Sequence, residues 1–203
     1  LEGTIVHVAV EDEYMGHIII SDEIKKDASK SVKELEKIGI TDISMLTGDS
    51  KSAAYHIASQ AGIKKVAYSL LPHEKTDYVL KKLDSMKDKE KLVFVGDGIN
   101  DAPVLAGADI GVSMGLLGSQ SAIEASDAVI MDDLPSKVPL LIRLSKKTMR
   151  IAKQNMAFAI SVKLIVLIAG AAGLASLWSA VFADVGVSLI AVLNAIRLLR
   201  KNI

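Results

Sequence analysis

Residues 93–115, VFVGDGINDAPVLAGADIGVSMG, place two carboxylates, Asp97 and Asp101, just after an apolar strand. Gly96 and Gly98 flank the first acid, and glycine lets the backbone approach a ligand closely. The sequence puts no Arg or Lys beside these acids, so they repel each other unless a cation lies between them. Mg²⁺ prefers carboxylate oxygens and often links them to a phosphate. The motif therefore predicts a magnesium and phosphate site, since a simple turn needs only one Asp-Gly.

A second motif, Thr47-Gly48-Asp49, also follows an apolar strand. A hydroxyl group and backbone N–H groups beside a glycine suit a phosphate oxygen, and the helix that follows adds its positive end. The alternative is that Asp49 or Ser50 only caps that helix.

A third candidate is Lys75, in the first turn of a helix that begins with Pro72. In this position its ammonium group is able to neutralise a phosphoryl group. Viewed alone, the residue is better explained as an ordinary solvated lysine, because the same helix also carries Lys81 and Lys82.

Short apolar strands that alternate with amphipathic helices must position these motifs. A hairpin opens the chain, with strands at 4–10 and 17–21 around a turn at 11–16. The later elements are predicted as a helix at 21–39, a strand at 43–46, a helix at 52–61, a strand at 64–69, a helix from 72, a strand at 92–95, a short helix after the GDGIND turn, and strands within 108–114 and 127–133. This order predicts an α/β fold with a parallel sheet covered on both faces. Ligands of such sheets bind at the carboxyl ends of the strands, so the motifs should face a common crevice.

The charge balance excludes one class of partner. Lys and Arg together number 24, as do Asp and Glu, so the formal net charge is zero. No nucleic-acid partner is expected, because such binders carry a basic footprint. The chain contains no Cys, which excludes disulfides and thiolate metal sites within it.

Two apolar runs, about 155–175 and 177–199, are each long enough to cross a bilayer core of about 30 Å as a helix. Basic residues flank both ends: Lys146, Lys147, Arg150, Lys153, Arg197, Arg200 and Lys201. Such flanks place both ends of the hairpin in the cytoplasm. We therefore expect an integral membrane protein, in the plasma membrane, with its soluble part cytoplasmic. The alternative is a buried helical hairpin of a soluble domain.

Lys163 and Asp184 are the only ionisable residues between Asn155 and Ile196. Counted from the turn between the helices, they lie at depths of about 16 Å and 12 Å. A charge in mid-membrane costs at least about 2.5–3.5 kcal/mol, and such residues usually pair or mark an ion path. We expect these two to face each other in an ion path. The alternative is a salt bridge that only holds the helices together.

The order and spacing of MLTGDS, PHEK and VGDGIND resemble the second half of the phosphorylation domain of P-type ATPases, which has a haloacid-dehalogenase-like fold. The resemblance implies an ATP-driven pump with an aspartyl-phosphate intermediate and with Mg²⁺ as cofactor. It implies that phosphate and ATP are handled by Thr47, Gly48, Asp49, Lys75 and Asn100, and that Mg²⁺ is bound by Asp97 and Asp101.

The apolar hairpin resembles the last two helices of heavy-metal-transporting P-type ATPases of the zinc/cadmium/lead class. That class has a Lys on the penultimate helix and Asp-x-Gly on the last, matched here by Lys163 and Asp184-Val-Gly186. The copper class carries Tyr-Asn and Met…Ser-Ser, which Val162-Lys163 and Ala183-Asp184 do not match. The resemblance implies that Asp184 binds or adjoins the transported Zn²⁺, Cd²⁺ or Pb²⁺, with Lys163 as counter-charge.

The resemblance also divides the chain. It assigns 1–21 to the end of a nucleotide-binding domain, 22–149 to the phosphorylation domain and 150–203 to the transmembrane hairpin. The family's nucleophile lies in Asp-Lys-Thr-Gly-Thr, a stretch that this sequence lacks. We expect the nucleophile and the cysteine ligands of the ion in an N-terminal half outside this chain, and the chain alone to be inactive.

Three other functions remain open from the sequence. One is a copper pump of the same branch. Another is a membrane-tethered haloacid-dehalogenase-like phosphatase, which needs its own nucleophilic Asp before the TGD strand. The third is a non-enzymatic fragment that only binds phosphate or a partner. The sequence does not rank Zn²⁺, Cd²⁺ and Pb²⁺.

Overall fold

A computed structural model describes residues 4–20, 23–96, 101–115 and 120–198. The chain divides into two compact units, residues 1–139 and 140–203.

The first unit opens with an antiparallel hairpin of β1 (Thr4–Val10) and β2 (Glu13–Ile20). The turn is Glu11-Asp12, with φ angles of 50° and 68°. Two residues in this left-handed conformation are enough to join twisted strands. The predicted turn at 11–16 was therefore too long: β2 begins at Glu13, and Gly16 lies inside it.

Helices and strands then alternate as predicted, except that the helix between the last two strands was not predicted. They are α1 (Ala28–Lys37), β3 (Ser44–Leu46), α2 (Lys51–Ala61), β4 (Lys65–Ala67), α3 (Pro72–Asp84), β5 (Val93–Gly96), α4 (Ala102–Gly107), β6 (Ile110–Met114), α5 (Gln120–Ala125) and β7 (Ala128–Ile130). The predicted helix at 21–39 was too long, because α1 begins only after Asp27. The Asp27 carboxylate accepts a hydrogen bond from the Ser136 N–H at 2.8 Å, which fixes the chain just before the helix.

The strands pair in parallel, which confirms the predicted α/β class. β3 pairs with β4, and β5, β6 and β7 form a second sheet in that order. One core cluster joins the elements around the sheet: Val79 of α3, Phe94 of β5, Val104 and Leu105 of α4, and Ala122 of α5, with Leu46 of β3 packed against it. The carboxyl ends of β3 and β5 are thus anchored to the same core.

The second unit is a helical hairpin. Its first helix, α6, is continuous from Lys137 to Ala171. The return helix consists of α7 (Leu177–Val181), a π-helical segment (Phe182–Gly186) and α8 (Val187–Ile196). The first apolar helix ends at Ala171 rather than near 175. Gly173, with a φ of 74°, takes the left-handed conformation that commonly ends a helix.

Both helices are long and apolar enough to cross a membrane, over Lys137–Ala171 and Trp178–Ile196. Many of their apolar side chains are exposed, among them Leu164, Ile165, Leu167, Ile168, Leu189 and Leu193. The buried hairpin of a soluble domain would cover such side chains, so their exposure favours the transmembrane alternative.

Candidate phosphate and metal sites

The Thr47-Gly48-Asp49 loop is ordered by its own side chains. The Thr47 N–H donates to the Ala67 carbonyl at 3.0 Å, which extends the β3–β4 pairing by one bond. The Thr47 hydroxyl donates to Asp49 Oδ2 at 2.6 Å and accepts from the Asp49 N–H at 3.1 Å. These bonds hold the loop in one conformation at the carboxyl end of β3.

The helix after this loop has no side-chain cap from the motif. The N-cap of α2 is Ser50, whose side chain makes no capping hydrogen bond, and the Asp49 carboxylate is bonded to Thr47. The alternative that the motif only caps α2 is therefore not supported. The first N–H groups of α2 are left for a ligand oxygen or water.

The connection between β4 and α3 lies against this loop. The Ser69 N–H donates to the Asp49 carbonyl at 2.8 Å, and the Leu70 N–H donates to the Thr47 carbonyl at 3.1 Å. A Cβ at Gly48 would lie 3.3 Å from the Leu70 carbonyl oxygen, so a larger residue would press the two loops apart. The loops after β3 and β4 thus form one surface, at the edge where ligands were expected.

Lys75 is not a solvated lysine. Its Nζ lies 3.0 Å from Asp101 Oδ1, and the two side chains are only 18% and 11% exposed. Lys75 lies in the first turn of α3, which begins just after Leu71, whose N–H donates to Glu74 Oε2 at 2.8 Å. This ion pair joins the start of α3 to the start of α4.

The ion pair corrects the expectation that the two acids have no cation beside them. The acids have no basic neighbour along the chain, but folding brings Lys75 to Asp101 from 26 residues away. A cation therefore already accompanies one of the two carboxylates. Asp97 and Asn100 lie outside the described residues.

Gly96 is required for the position of Asp101. A Cβ at Gly96 would lie 2.9 Å from Asp101 Oδ2, too close for a real contact. The second carboxylate oxygen of Asp101 therefore lies directly over Gly96 at the end of β5. A hard carboxylate oxygen in this position fits Mg²⁺ as one donor. Within the described ranges, no three His, Cys, Asp or Glu residues gather as a metal site.

Ser113 is a neighbour of this site that the sequence did not single out. It lies on β6 as the direct partner of Gly96 and is fully buried. Its hydroxyl group has no hydrogen-bond partner in the described part of the chain. The signal in the sequence was one polar residue in the otherwise apolar strand IGVSM.

The second unit brings the two predicted membrane charges together. Lys163 Nζ on α6 lies 2.8 Å from Asp184 Oδ1, which confirms that the residues face each other. Asp184 lies at the centre of the π-helical segment, and π-bulges are frequent at functional sites. The Ser188 hydroxyl donates to the Asp184 carbonyl at 2.7 Å, so this carbonyl group in the widened turn has a hydrogen-bond partner.

A second polar link joins the same helices and was missed in the sequence. The Asn155 side-chain amide donates to the Ala191 carbonyl at 3.0 Å, and the Asn194 amide donates to Asn155 Oδ1 at 2.7 Å. Arg197 Nη1 donates to Asn194 Oδ1 at 3.0 Å. The sequence did contain a sign of this link, because two asparagines interrupt the otherwise apolar runs. This network sets the packing of α6 against α8 independently of the ion pair.

Comparison with known proteins adds three findings on sequence. A family model described as haloacid dehalogenase-like hydrolase matches residues 2–109. A cadmium, zinc and cobalt-transporting ATPase of Bacillus subtilis (strain 168) is 55% identical over 201 residues, covering 98% of this chain and 29% of that protein. A zinc-transporting ATPase of Synechocystis sp. is 50% identical over 196 residues, covering 97% of this chain and 27% of that protein.

The fold is similar to a solved pump structure. A crystal structure of a zinc-transporting PIB-type ATPase in its E2.Pi state matches with a TM-score of 0.81 and 35% identity, over 97% of this chain and 31% of that one. The chain therefore spans less than a third of the length of each of these proteins.

Proposed function

The chain belongs to the haloacid dehalogenase-like hydrolase family, and we propose that it is part of an ATP-driven pump that exports Zn²⁺ and related divalent cations. The observation that carries this proposal is the Lys163–Asp184 ion pair between two apolar helices, in the same chain as a phosphate-type site. The similar proteins that transport zinc, cadmium or cobalt support it.

In the soluble unit, we assign phosphate handling to the surface formed by the loops after β3 and β4. The backbone at Gly48 and the first N–H groups of α2 offer donors to a phosphoryl oxygen. Without a ligand, Asp49 holds Thr47 in place through the 2.6 Å hydrogen bond, and the Thr47 hydroxyl would turn its one proton from Asp49 to a bound phosphoryl oxygen. Asn100 is proposed as a further donor to the phosphoryl group.

Lys75 supplies the positive charge, and Asp101 holds it at the site until a phosphoryl group competes for it. Asp97 and Asp101 would hold Mg²⁺, which supplies charge neutralisation to the phosphate of ATP.

The nucleophilic aspartate is proposed to come from another part of the pump. β3 and β5 pack on the same core, but the described residues show no pairing between their two sheets. Val93 and Val95 of β5 are also exposed. A strand from outside this chain would pair there and cover them, ending at the same edge as Thr47 and Gly96.

In the apolar unit, Asp184 is proposed as a ligand of the transported ion, because carboxylate oxygen binds Zn²⁺. Lys163 occupies the same carboxylate when no ion is present, at 2.8 Å. Ion binding would displace the ammonium group, and its return would favour release. We place this unit in the plasma membrane with both ends cytoplasmic, on the basis of its basic flanks.

The test uses the complete pump in sealed vesicles with ATP and Mg²⁺. Zn²⁺ is expected to stimulate ATP hydrolysis, and Asp184→Asn to abolish the stimulation. The control is Asp88→Asn, an exposed carboxylate for which the described residues show no ion pair. Stimulation by Cu⁺ but not by Zn²⁺ would instead indicate a copper pump.

The isolated chain gives a second test. We expect no hydrolysis of ATP or of small phosphoesters by it, and no label from ATP on any of its aspartates. Label on one of them, or turnover of a small phosphoester, would indicate the membrane-tethered phosphatase.

A further inference from the structure

The β1–β2 hairpin carries three side chains with possible metal-binding atoms. His7 and His17 are direct partners across the two strands, and their ring centroids lie 6.3 Å apart. Directly opposite residues of an antiparallel pair project from the same face. Both imidazoles are exposed, so neither ring is needed for the core.

A β-bulge brings Tyr14 to the same face. Tyr14 lies three residues before His17, and regular alternation would put these two side chains on opposite faces. The register shifts between Val8 and Ala9, where β2 contains an extra residue and Gly16 has a φ of 145°. The extra residue reverses the alternation, and bulges commonly re-aim a side chain in this way.

The three side chains converge on one point. The Tyr14 hydroxyl oxygen lies 3.3 Å from His7 Nδ1 and 3.2 Å from His17 Nδ1. Two imidazole nitrogens therefore point at one oxygen atom from opposite strands. Zn²⁺ needs its nitrogen ligands at about 2.0–2.1 Å, so both exposed rings would have to rotate toward a shared ion.

We propose that His7 and His17, with Tyr14 beside them, bind one divalent transition-metal ion such as Zn²⁺. Imidazole suits Zn²⁺ and its neighbours in the first transition row, and water completes the coordination. With only two nitrogen ligands the site is exchangeable rather than structural. The proposal concerns the hairpin alone and does not depend on the transport function.

Binding has a mechanical consequence. An isolated two-stranded hairpin is only marginally stable, and the ion would join its two strands directly. A ligand that binds only the folded form stabilises that form by mass action. Zn²⁺ should therefore slow amide hydrogen exchange in β1 and β2.

The test is a ZnCl₂ titration of the full chain in detergent micelles, followed by the NMR signals of its 4 histidine rings. We expect the His7 and His17 signals to shift together and to saturate at one ion per chain, while His56 and His73 stay unchanged. Zn²⁺ that binds at Asp184 instead would not shift the histidine ring signals, so the NMR titration distinguishes the two sites. Calorimetry would not distinguish them, because binding at either site adds heat.

Single variants distinguish a metal-binding site from a chain of hydrogen bonds on the surface. His7→Ala should remove the shift of His17, and His17→Ala should remove the shift of His7. The matched control, His56→Ala, should leave both shifts intact, and Tyr14→Phe should weaken binding several-fold. The proposal is overturned if neither ring responds to millimolar Zn²⁺, if the single variants still saturate, or if all four rings shift alike.

Discussion

Lys163 Nζ lies 2.8 Å from Asp184 Oδ1, and this ion pair joins two helices whose apolar side chains face outward. In a membrane, where water is scarce, each charge would compensate the other. Removing one partner leaves an unpaired charge, which is more costly than replacing both by apolar residues.

Comparing single with double substitutions therefore distinguishes an ion pair that only holds the helices together from one that belongs to an ion path. In the complete pump, Asp184→Ala should abolish Zn²⁺-stimulated ATP hydrolysis, because a ligand is lost and Lys163 is left unpaired. Lys163→Ala should be milder for ion binding but should slow ion release. The measurements are Zn²⁺-stimulated hydrolysis and zinc uptake into vesicles.

The double variant Lys163→Leu, Asp184→Leu is decisive. Two apolar residues should insert and fold at little cost, so a purely structural pair predicts a working pump. We expect a folded protein without Zn²⁺-stimulated activity. Zinc transport that survives in this variant would rule out the ion path.

Gly96 offers a test of the Lys75–Asp101 pair that alters neither charge. Gly96→Ala places a Cβ 2.9 Å from Asp101 Oδ2 and should displace this carboxylate from Lys75. The same Cβ would also lie 3.0 Å from Phe94 Cε1, so the Phe94 ring must shift as well. We expect the substitution to reduce the opening free energy of β5 and α4 by about 1–3 kcal/mol, measured by native-state hydrogen exchange, because a largely buried ion pair is broken.

Gly107→Ala in α4 is the matched control. Its Cβ would meet nothing within 4 Å, so this substitution should be neutral or slightly stabilising. Equal effects of the two substitutions would show that the Asp101 contact carries no stability.

Much of this architecture was predictable because it depends on local regularities. The order of strands and helices follows from apolar periodicity. The Lys163–Asp184 contact follows from similar depths along two helices whose rise per residue is fixed. The position of the Thr47 loop at a strand end was also predicted correctly, because an apolar strand directly precedes it in the sequence.

The unpredicted features depend on packing between distant segments or on irregular backbone. Lys75 meets Asp101 only because the core holds α3 against α4. The Glu11-Asp12 turn uses positive φ at two residues other than glycine, so no Gly marked it. Likewise, the bulge that turns Tyr14 toward the histidines has no periodic signal.

A pH effect is expected at Asp42, which precedes β3. Hydrogen bonds from Lys65 and Lys82 hold the pKa of the Asp42 carboxyl below its usual value of 3.8. A lowered folded-state pKa contributes stability that is fully present above the unfolded value and is lost as the pH falls through the folded one. The contribution is small, since all three side chains are well exposed.

Asp42→Asn should therefore reduce the loss of stability below about pH 4, measured by urea unfolding of the chain followed by circular dichroism. Asp88→Asn should leave the pH profile unchanged. An Asp42→Asn profile that matches the parent at every pH would contradict the assignment.

The Asn155–Asn194 link should hold the apolar hairpin together. Asn155→Ala removes both the bond to the Ala191 carbonyl and the bond from Asn194, and hydrogen bonds between membrane helices contribute about 0.6–2 kcal/mol. We expect a loss of this size in the stability of the hairpin. It can be measured by adding SDS to chain in mild-detergent micelles and following Trp178, the sole tryptophan of the sequence.

The coupling between the two asparagines is the sharper measurement. Because Asn155 and Asn194 share a bond, the double alanine variant should lose less stability than the two single variants added together. Lys163→Leu, Asp184→Leu serves as a comparison, since it removes the other polar link and should add independently to Asn155→Ala. Strict additivity of Asn155→Ala and Asn194→Ala would mean that the 2.7 Å contact contributes nothing to the packing of α6 on α8.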